Sequence, residues 1–172
     1  MNAHAIGIRP MATGDIPAVA EMERTIFPDP WPESSFRDAL NDPHGLNLVA
    51  LPQDGAEICA YLCAQIVVDE VHIHNVAVAP SYRRRGIGRE LLEHAEQEGR
   101  KQGADCCILE VRINNSPALA MYGRLGYRRI GRRRQYYRKP VCDALVLLKI
   151  LDESLRGQLT PAGRTDGVVS QG

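Results

Sequence analysis

The chain has 172 residues, the size of one ordinary domain, and Leu, Ile, Val and Phe make up about a quarter of it, enough for a core without disulfide or metal staples. Its 21 Lys and Arg balance its 21 Asp and Glu, so no global field holds it to nucleic acid or an anionic membrane, and any anion site must be local. No stretch nears the roughly 18 apolar residues of a membrane span, and Met1 to Pro10 lacks the features of a signal peptide, which predicts a cytoplasmic protein.

A short apolar strand is expected over Ala5 to Arg9. Thr13 or Asp15 then suits a helix cap, with Pro17 in the first turn. Ile16, Val19, Ala20, Glu23 and Ile26 follow helical spacing, and Pro28, Pro30 and Pro32 end that helix around Trp31, the only tryptophan. A second helix is expected over Glu33 to Leu40. Strands over Leu46 to Leu51, Glu57 to Val68 and Val71 to Ala79, joined by the Gln53-Asp-Gly-Ala turn and by Asp69-Glu70, predict an antiparallel meander. After Pro80 the period changes. Ile87, Leu91, Leu92 and Ala95 mark one helical face, and Gly103 ends the helix. Cys106 to Val111 reads as a buried strand. Ser116-Pro117, a cap followed by proline at the first helical position, opens a helix that runs to Leu125 before Gly126, and strands over Tyr127 to Tyr137 and Asp143 to Leu151 close the domain. The order predicts an α+β fold over 1–151, a mostly antiparallel sheet of about seven strands with about four helices and one parallel crossover. A tail over 152–172, rich in Gly, Ser, Thr and Gln, is expected to be disordered in its distal part.

Cys59, Cys63, Cys106, Cys107 and Cys142 are an odd set without a C-x-x-C pair, so core thiols are expected rather than disulfides or a zinc ribbon. His72 and His74 alternate along one strand, but no third ligand stands at a metal-binding spacing.

The segment from Val76 through Arg83-Arg-Arg-Gly-Ile-Gly-Arg89 is a strand, a turn and a glycine-containing helix start. Helix N-termini expose unpaired N–H groups and a partial positive charge. Gly86 and Gly88 permit close backbone approach, and Arg83, Arg84, Arg85 and Arg89 add formal charge, a set suited to a pyrophosphate. The spacing fits neither Walker A nor the dinucleotide fingerprint. Glu110 interrupts an apolar strand, so it is either a partner for an arginine such as Arg112 or a carboxylate opening on a cavity, where burial would raise its pKa toward that of a general base. Tyr122 is either a core tyrosine or a phenol able to protonate a departing thiolate. Asn115 stands where a helix cap is expected.

These pieces resemble a known family. Val76 to Arg89 resembles the acetyl-coenzyme A motif of the GNAT acetyltransferases. Leu109-Glu-Val-Arg, Asn114-Asn115, Ala120-Met-Tyr122 through Gly126-Tyr127, then Arg133, Tyr136-Tyr137, Pro140 and Asp143-Ala144, with Phe27-Pro-Asp-Pro-Trp31 upstream, are similar to the ribosomal-protein-alanine acetyltransferases. The resemblance covers about Ile6 to Leu151. It implies the GNAT fold, acetyl-coenzyme A as co-substrate with no metal, and direct transfer to the N-terminal alanine of a small-subunit ribosomal protein, with possible ribosome association and no membrane or DNA partner. It further implies Glu110 as general base and Tyr122 as general acid. Backbone at Val76, Ala77 and Val78 is matched to the acetyl and pantetheine end, Arg84, Arg85, Gly86, Ile87, Gly88 and Arg89 to the pyrophosphate, and Asn115 to a cofactor contact. Trp31, Tyr136 and Tyr137 are matched to a peptide groove. Cys142 stands where the family commonly has an acidic residue, which bears on peptide preference rather than on the chemistry. Three other acceptors, another protein N-terminus, a lysine or a small amine, remain compatible with the same fold. The run from Arg128 to Lys139, dense in arginine and interleaved with tyrosine, also suits RNA.

Overall fold

The computed structural model describes residues 6–53, 55 and 57–155; the distal tail and part of the Asp54-Gly55 turn lie outside them. Seven strands form one open sheet in the order β1-β2-β3-β4-β5-β7-β6. They are β1 (Ile6–Pro10), β2 (Gly45–Pro52), β3 (Ala60–Val67), β4 (Glu70–Val78), β5 (Cys106–Arg112), β6 (Arg128–Arg138) and β7 (Val141–Ile150). All neighbours are antiparallel except β4 and β5, the expected crossover. The helices are α1 (Ile16–Ile26), α2 (Glu33–Asn41), α3 (Ile87–Lys101) and α4 (Ser116–Arg124).

The expected elements stand within a few residues of their places, and the differences are local. Asp15 does not cap α1 with its side chain. Its carboxylate reaches back to the Ala12 N–H at 2.8 Å and to the Arg9 guanidinium, and a 3-10 turn over Thr13–Asp15 leads into the helix. The cap of α4 is Asn115, which accepts from the Ala118 N–H at 3.3 Å, not Ser116. β5 is not buried on both faces: Cys107, Leu109 and Val111 are core, while Ile108, Glu110 and Arg112 look toward an open side.

Two core layers explain that opening. On one face α3 and α4 pack on β2 to β5 and β7 through Leu48, Leu62, Ile73, Leu91, Leu109 and Leu147. On the other, α1 and α2 cover only β2, β3 and β4, through Ile16, Val19, Phe36, Val49, Tyr61 and Ala77. Among the described residues no helix covers the half of that second face made by β5, β7 and β6. Cys59, Cys63, Cys106 and Cys107 are buried free thiols and Cys142 is half-buried.

A buried ion pair locks α3 to the far strands. Glu96, 2% exposed, accepts from Lys149 Nζ at 2.6 Å and from the Tyr127 hydroxyl at 2.9 Å. One turn further on, Gly99 is a steric requirement: a Cβ there would stand 2.3 Å from Val71 Cγ2. Gly99→Ala is therefore expected to destabilise the domain by about 1–3 kcal/mol through overpacking, seen as a lower thermal midpoint. A midpoint equal to wild type would show that β4 yields without cost.

Candidate active site

β4 and β5 pair only from Glu70 and Cys106 to Ile73 and Leu109. Beyond that point β4 continues to Val78 with β3 as its strand partner. Across β3 and β4, Cys63 faces Asn75 and Ala64 faces Ile73, which leaves His74 as the extra residue of a β-bulge. A bulge bends its strand and sharpens the local twist. Among the described residues the β5-facing edge of β4 from His74 to Val78 is thus without a strand partner, and its backbone groups border a cleft. Val76 and Val78 pack their side chains toward α3 and Ala77 packs toward α1, so it is their main chain that faces the cleft.

The start of α3 stands beside this cleft. Gly86 is its N-cap with φ 84°, a left-handed conformation that L side chains rarely adopt, and Arg84 is also left-handed at φ 61°. The first-turn amides of Ile87, Gly88 and Arg89 have no carbonyl acceptor inside the helix, and the helix dipole adds partial positive charge there. The Ile87 side chain is core, so only its backbone can meet a ligand. A Cβ on Gly88 would lie 3.5 Å from Val78 Cγ2 and 3.6 Å from Met121 Sδ, so α3, the end of β4 and α4 converge here. Arg83 Nε donates to the Val78 carbonyl at 3.1 Å, Arg85 lies 5.2 Å from the Tyr82 ring centroid, and Arg89 pairs with Glu93 at 2.8 Å. Exposed guanidinium groups around a helix N-terminus fit a pyrophosphate-bearing co-substrate.

Glu110 stands on the open face of β5, its side chain 21% exposed, with Arg133 Nη2 at 3.2 Å. Its ion partner is not Arg112. That guanidinium donates to the carbonyls of Pro140 and Lys139, both at 3.2 Å, and stacks 4.1 Å from the Tyr137 ring centroid. The register gives the reason. Arg112, Ala144 and Arg133 lie in one line across β5, β7 and β6, and small Ala144 lets Arg133 reach diagonally to Glu110, two positions before Arg112 on the same face of β5.

Opposite Asp143, three residues of β6 (134–136) occupy the space of one, and Gln135 takes φ 49°. Asp143 clamps this bulge: its carboxylate accepts from the Gln135 N–H at 2.8 Å and from the Arg132 guanidinium, contacts that hold its pKa below the ordinary value. The bulge sets Tyr136 and Tyr137 edge to face, ring centroids 5.1 Å apart, with Arg133 5.6 Å from the Tyr136 centroid. Burial, with Tyr136 and Glu110 close by, pushes the Tyr137 phenol up to about 12.

Tyr122 is 5% exposed on α4, and its ring meets Tyr127 edge-on at 5.6 Å. Burial raises its pKa, which keeps the phenol protonated. It packs as a core tyrosine, yet its hydroxyl bonds nothing among the described residues. The other deeply buried tyrosines behave differently: Tyr61 donates to Glu23 and Tyr127 to Glu96.

Glu23 is the residue that sequence reasoning missed. It is 2% exposed on α1 and accepts from the Trp31 backbone N–H at 2.9 Å, the Asn75 carboxamide at 3.1 Å and the Tyr61 hydroxyl. One carboxylate thus fixes both the loop that carries Trp31 and the β4 bulge. Trp31 packs 5.4 Å from Phe36, so its loop forms the α1–α2 side of the open face and Tyr136 and Tyr137 the β6 side. The available signal was a carboxylate on the apolar stripe of a predicted helix. Among the described residues no three His, Cys, Asp or Glu side chains are placed to hold a metal, and no helix is long and apolar enough to cross a membrane. A depression of about 330 Å³ lined by Arg100, Asp105, Leu151 and Glu153 lies at the far end of α3, away from the cleft.

The family model described as acetyltransferase (GNAT) matches residues 16–127. The [ribosomal protein bS18]-alanine N-acetyltransferase of Escherichia coli K12 is 38% identical over 130 residues, 76% of this chain and 86% of that one. The N-alpha-acetyltransferase RimI of Mycobacterium tuberculosis is 33% identical over 152 residues, 85% of this chain and 93% of that one. The crystal structure of the ribosomal-protein-S18-alanine N-acetyltransferase from Escherichia coli superposes with a TM-score of 0.79 at 33% identity, covering 86% of this chain and 95% of that one. A parallel pair that parts beside a glycine-capped, arginine-flanked helix, inside a sheet matched along nearly its whole length by these relatives, places the chain in the GNAT acetyltransferase family, as an N-acetyltransferase that draws its acetyl group from acetyl-coenzyme A.

Proposed function

We propose that the acceptor is the free α-amine of a protein N-terminus, and in the cell the N-terminal alanine of a small-subunit ribosomal protein, modified in the cytoplasm. The observation that carries this reading is Glu110 on the floor of a sheet face left open between the Trp31 loop and the Tyr136–Tyr137 bulge. An open groove admits the end of a chain. A small polyamine calls for a closed acidic pocket, and this groove is walled by tyrosine and arginine. The curated relatives' named substrate supports the choice of acceptor. Within the basic run on β6, Arg132 and Arg133 are turned to Asp143 and Glu110, and the remaining cations would assist approach to a ribosomal particle.

Acetyl-coenzyme A supplies an acetyl thioester whose carbonyl carbon is already electrophilic. In this reading the backbone of Val76 to Val78 holds the thioester end, the α3 start with Arg84, Arg85 and Arg89 holds the pyrophosphate, and Asn115 lies against the co-substrate while capping α4. Glu110 removes a proton from the acceptor ammonium, directly or through water. The amine nitrogen forms its bond to the acetyl carbon as the carbon–sulfur bond breaks, backbone N–H near Val78 stabilises the oxyanion, Tyr122 protonates the sulfur, and the second proton of the nitrogen restores the Tyr122 phenol. An α-amine with a pKa of about 8 is on the order of a tenth neutral at pH 7, whereas a lysine near 10.4 is neutral at well below 0.1%. A single carboxylate is a proportionate base for the first and a weak one for the second.

The test offers acetyl-coenzyme A and two peptides of one sequence, one with a free N-terminal alanine and one blocked there but retaining its lysines. Acetylation of the free peptide alone is expected. Transfer to the blocked peptide at a similar rate would move the acceptor to lysine.

A further inference from the structure

Acetylating an ammonium releases one proton per turnover: of the two protons the nitrogen loses, one ends on sulfur and the other must leave Glu110 before the next cycle. The cation beside Glu110, Arg133, cannot accept it, because a guanidinium stays protonated. The β4 bulge provides a different neighbour. Ile73 and Leu109 are the last parallel pair of β4 and β5, and both are core residues on the α3 side. The next positions, His74 and Glu110, therefore share the open face on adjacent strands, at the point where the strands part. The bulge turns His74 and Asn75 to this side in succession, Asn75 to Glu23 and His74 into the groove. His74 is exposed, so bulk water reaches its ring. His72 stacks on it with centroids 6.5 Å apart and holds Glu70 at 2.7 Å, extending a line of proton-binding groups along β4 away from Glu110.

We propose that His74 is the proton outlet of the active site: it takes the proton that Glu110 has removed from the acceptor and passes it to bulk water. This rests on the α-amine reading above. The step balances. Glu110 returns to carboxylate, the imidazole becomes imidazolium, and loss of a proton to water or buffer restores the imidazole, with no other reactant. The surroundings suit the task. Partial desolvation by the groove walls lowers the imidazole pKa and His72 lowers it further, while Glu110 and Asp42 raise it; the net shift is downward, which favours the neutral, proton-accepting ring. Arg133, from β6, meets Glu110 from the other side of β5.

The test compares wild type with His74→Ala on the free-alanine peptide at pH 6.5 and pH 9 in dilute buffer. The variant should lose about tenfold in kcat at pH 6.5 and much less at pH 9, where the α-amine is already neutral. Added imidazole should restore the low-pH rate, which repair of a purely structural defect would not do. A variant as fast as wild type at pH 6.5, or a slow one indifferent to both pH and imidazole, overturns the outlet. Wild type inactive on the peptide would overturn the acceptor reading instead. The histidine link has a readout without substrate: in Glu110→Gln the His74 ring, followed by NMR, should titrate at lower pH, and an unmoved midpoint overturns the outlet whatever the acceptor.

Discussion

Glu110→Gln is expected to lower kcat/KM for the free-alanine peptide by about a hundredfold or more at pH 6.5, with the defect shrinking toward pH 9. The amide keeps the size of the side chain and can still meet Arg133, so the fold should hold. What it loses is the ability to take a proton. At pH 6.5 only a few per cent of an α-amine with a pKa near 8 is neutral, and the enzyme must generate the rest; by pH 9 solvent has done so. The pH–rate profile of the variant should therefore rise with the ionisation of the acceptor itself. A profile parallel to wild type, merely lower, would remove Glu110 from the role of base.

Tyr122→Phe is the second large effect. The hydroxyl makes no bond to any described residue, so its removal should cost little stability, while the ring keeps its contact with Tyr127. Turnover should fall by about one to two orders of magnitude, since the thiolate must then leave without a proton donor. The dissociation constant of acetyl-coenzyme A, measured by calorimetry, should stay within about threefold. Lost affinity together with a lower thermal midpoint would instead identify Tyr122 as packing alone.

The two predictions draw on features that differ in how far sequence reveals them. Glu110 was visible because a carboxylate in an apolar run is chemically conspicuous. Its partner was not, since choosing Arg133 over the adjacent Arg112 depends on the pairing of three strands and on a small residue at Ala144. The α3 start was legible as strand, glycines and arginines, local chemistry that needs no tertiary context. The opening between β4 and β5 was hidden, because one extra residue opposite Cys63 and Ala64 leaves no mark in hydrophobic alternation. Glu23 looked like an ordinary member of a helical repeat, and its three donors come from residues 8, 38 and 52 positions away. Asn115 and Ser116 were competing caps, and only the geometry of the turn decided between them.

An open sheet has two outer strands, and this one treats them differently. β1 is five residues long, while β6 runs for 11 and, among the described residues, carries a row of backbone groups with no strand on its outer side. A strand of that length, left flat and uncharged, would be a template for intermolecular pairing. Here Arg128, Arg129, Arg134 and Arg138 oppose the approach of a second copy, and the bulge at Gln135 breaks the straight edge such a copy would need. Replacing those arginines with threonine or valine should leave the domain folded while lowering its solubility, because these side chains guard the rim of the sheet against aggregation.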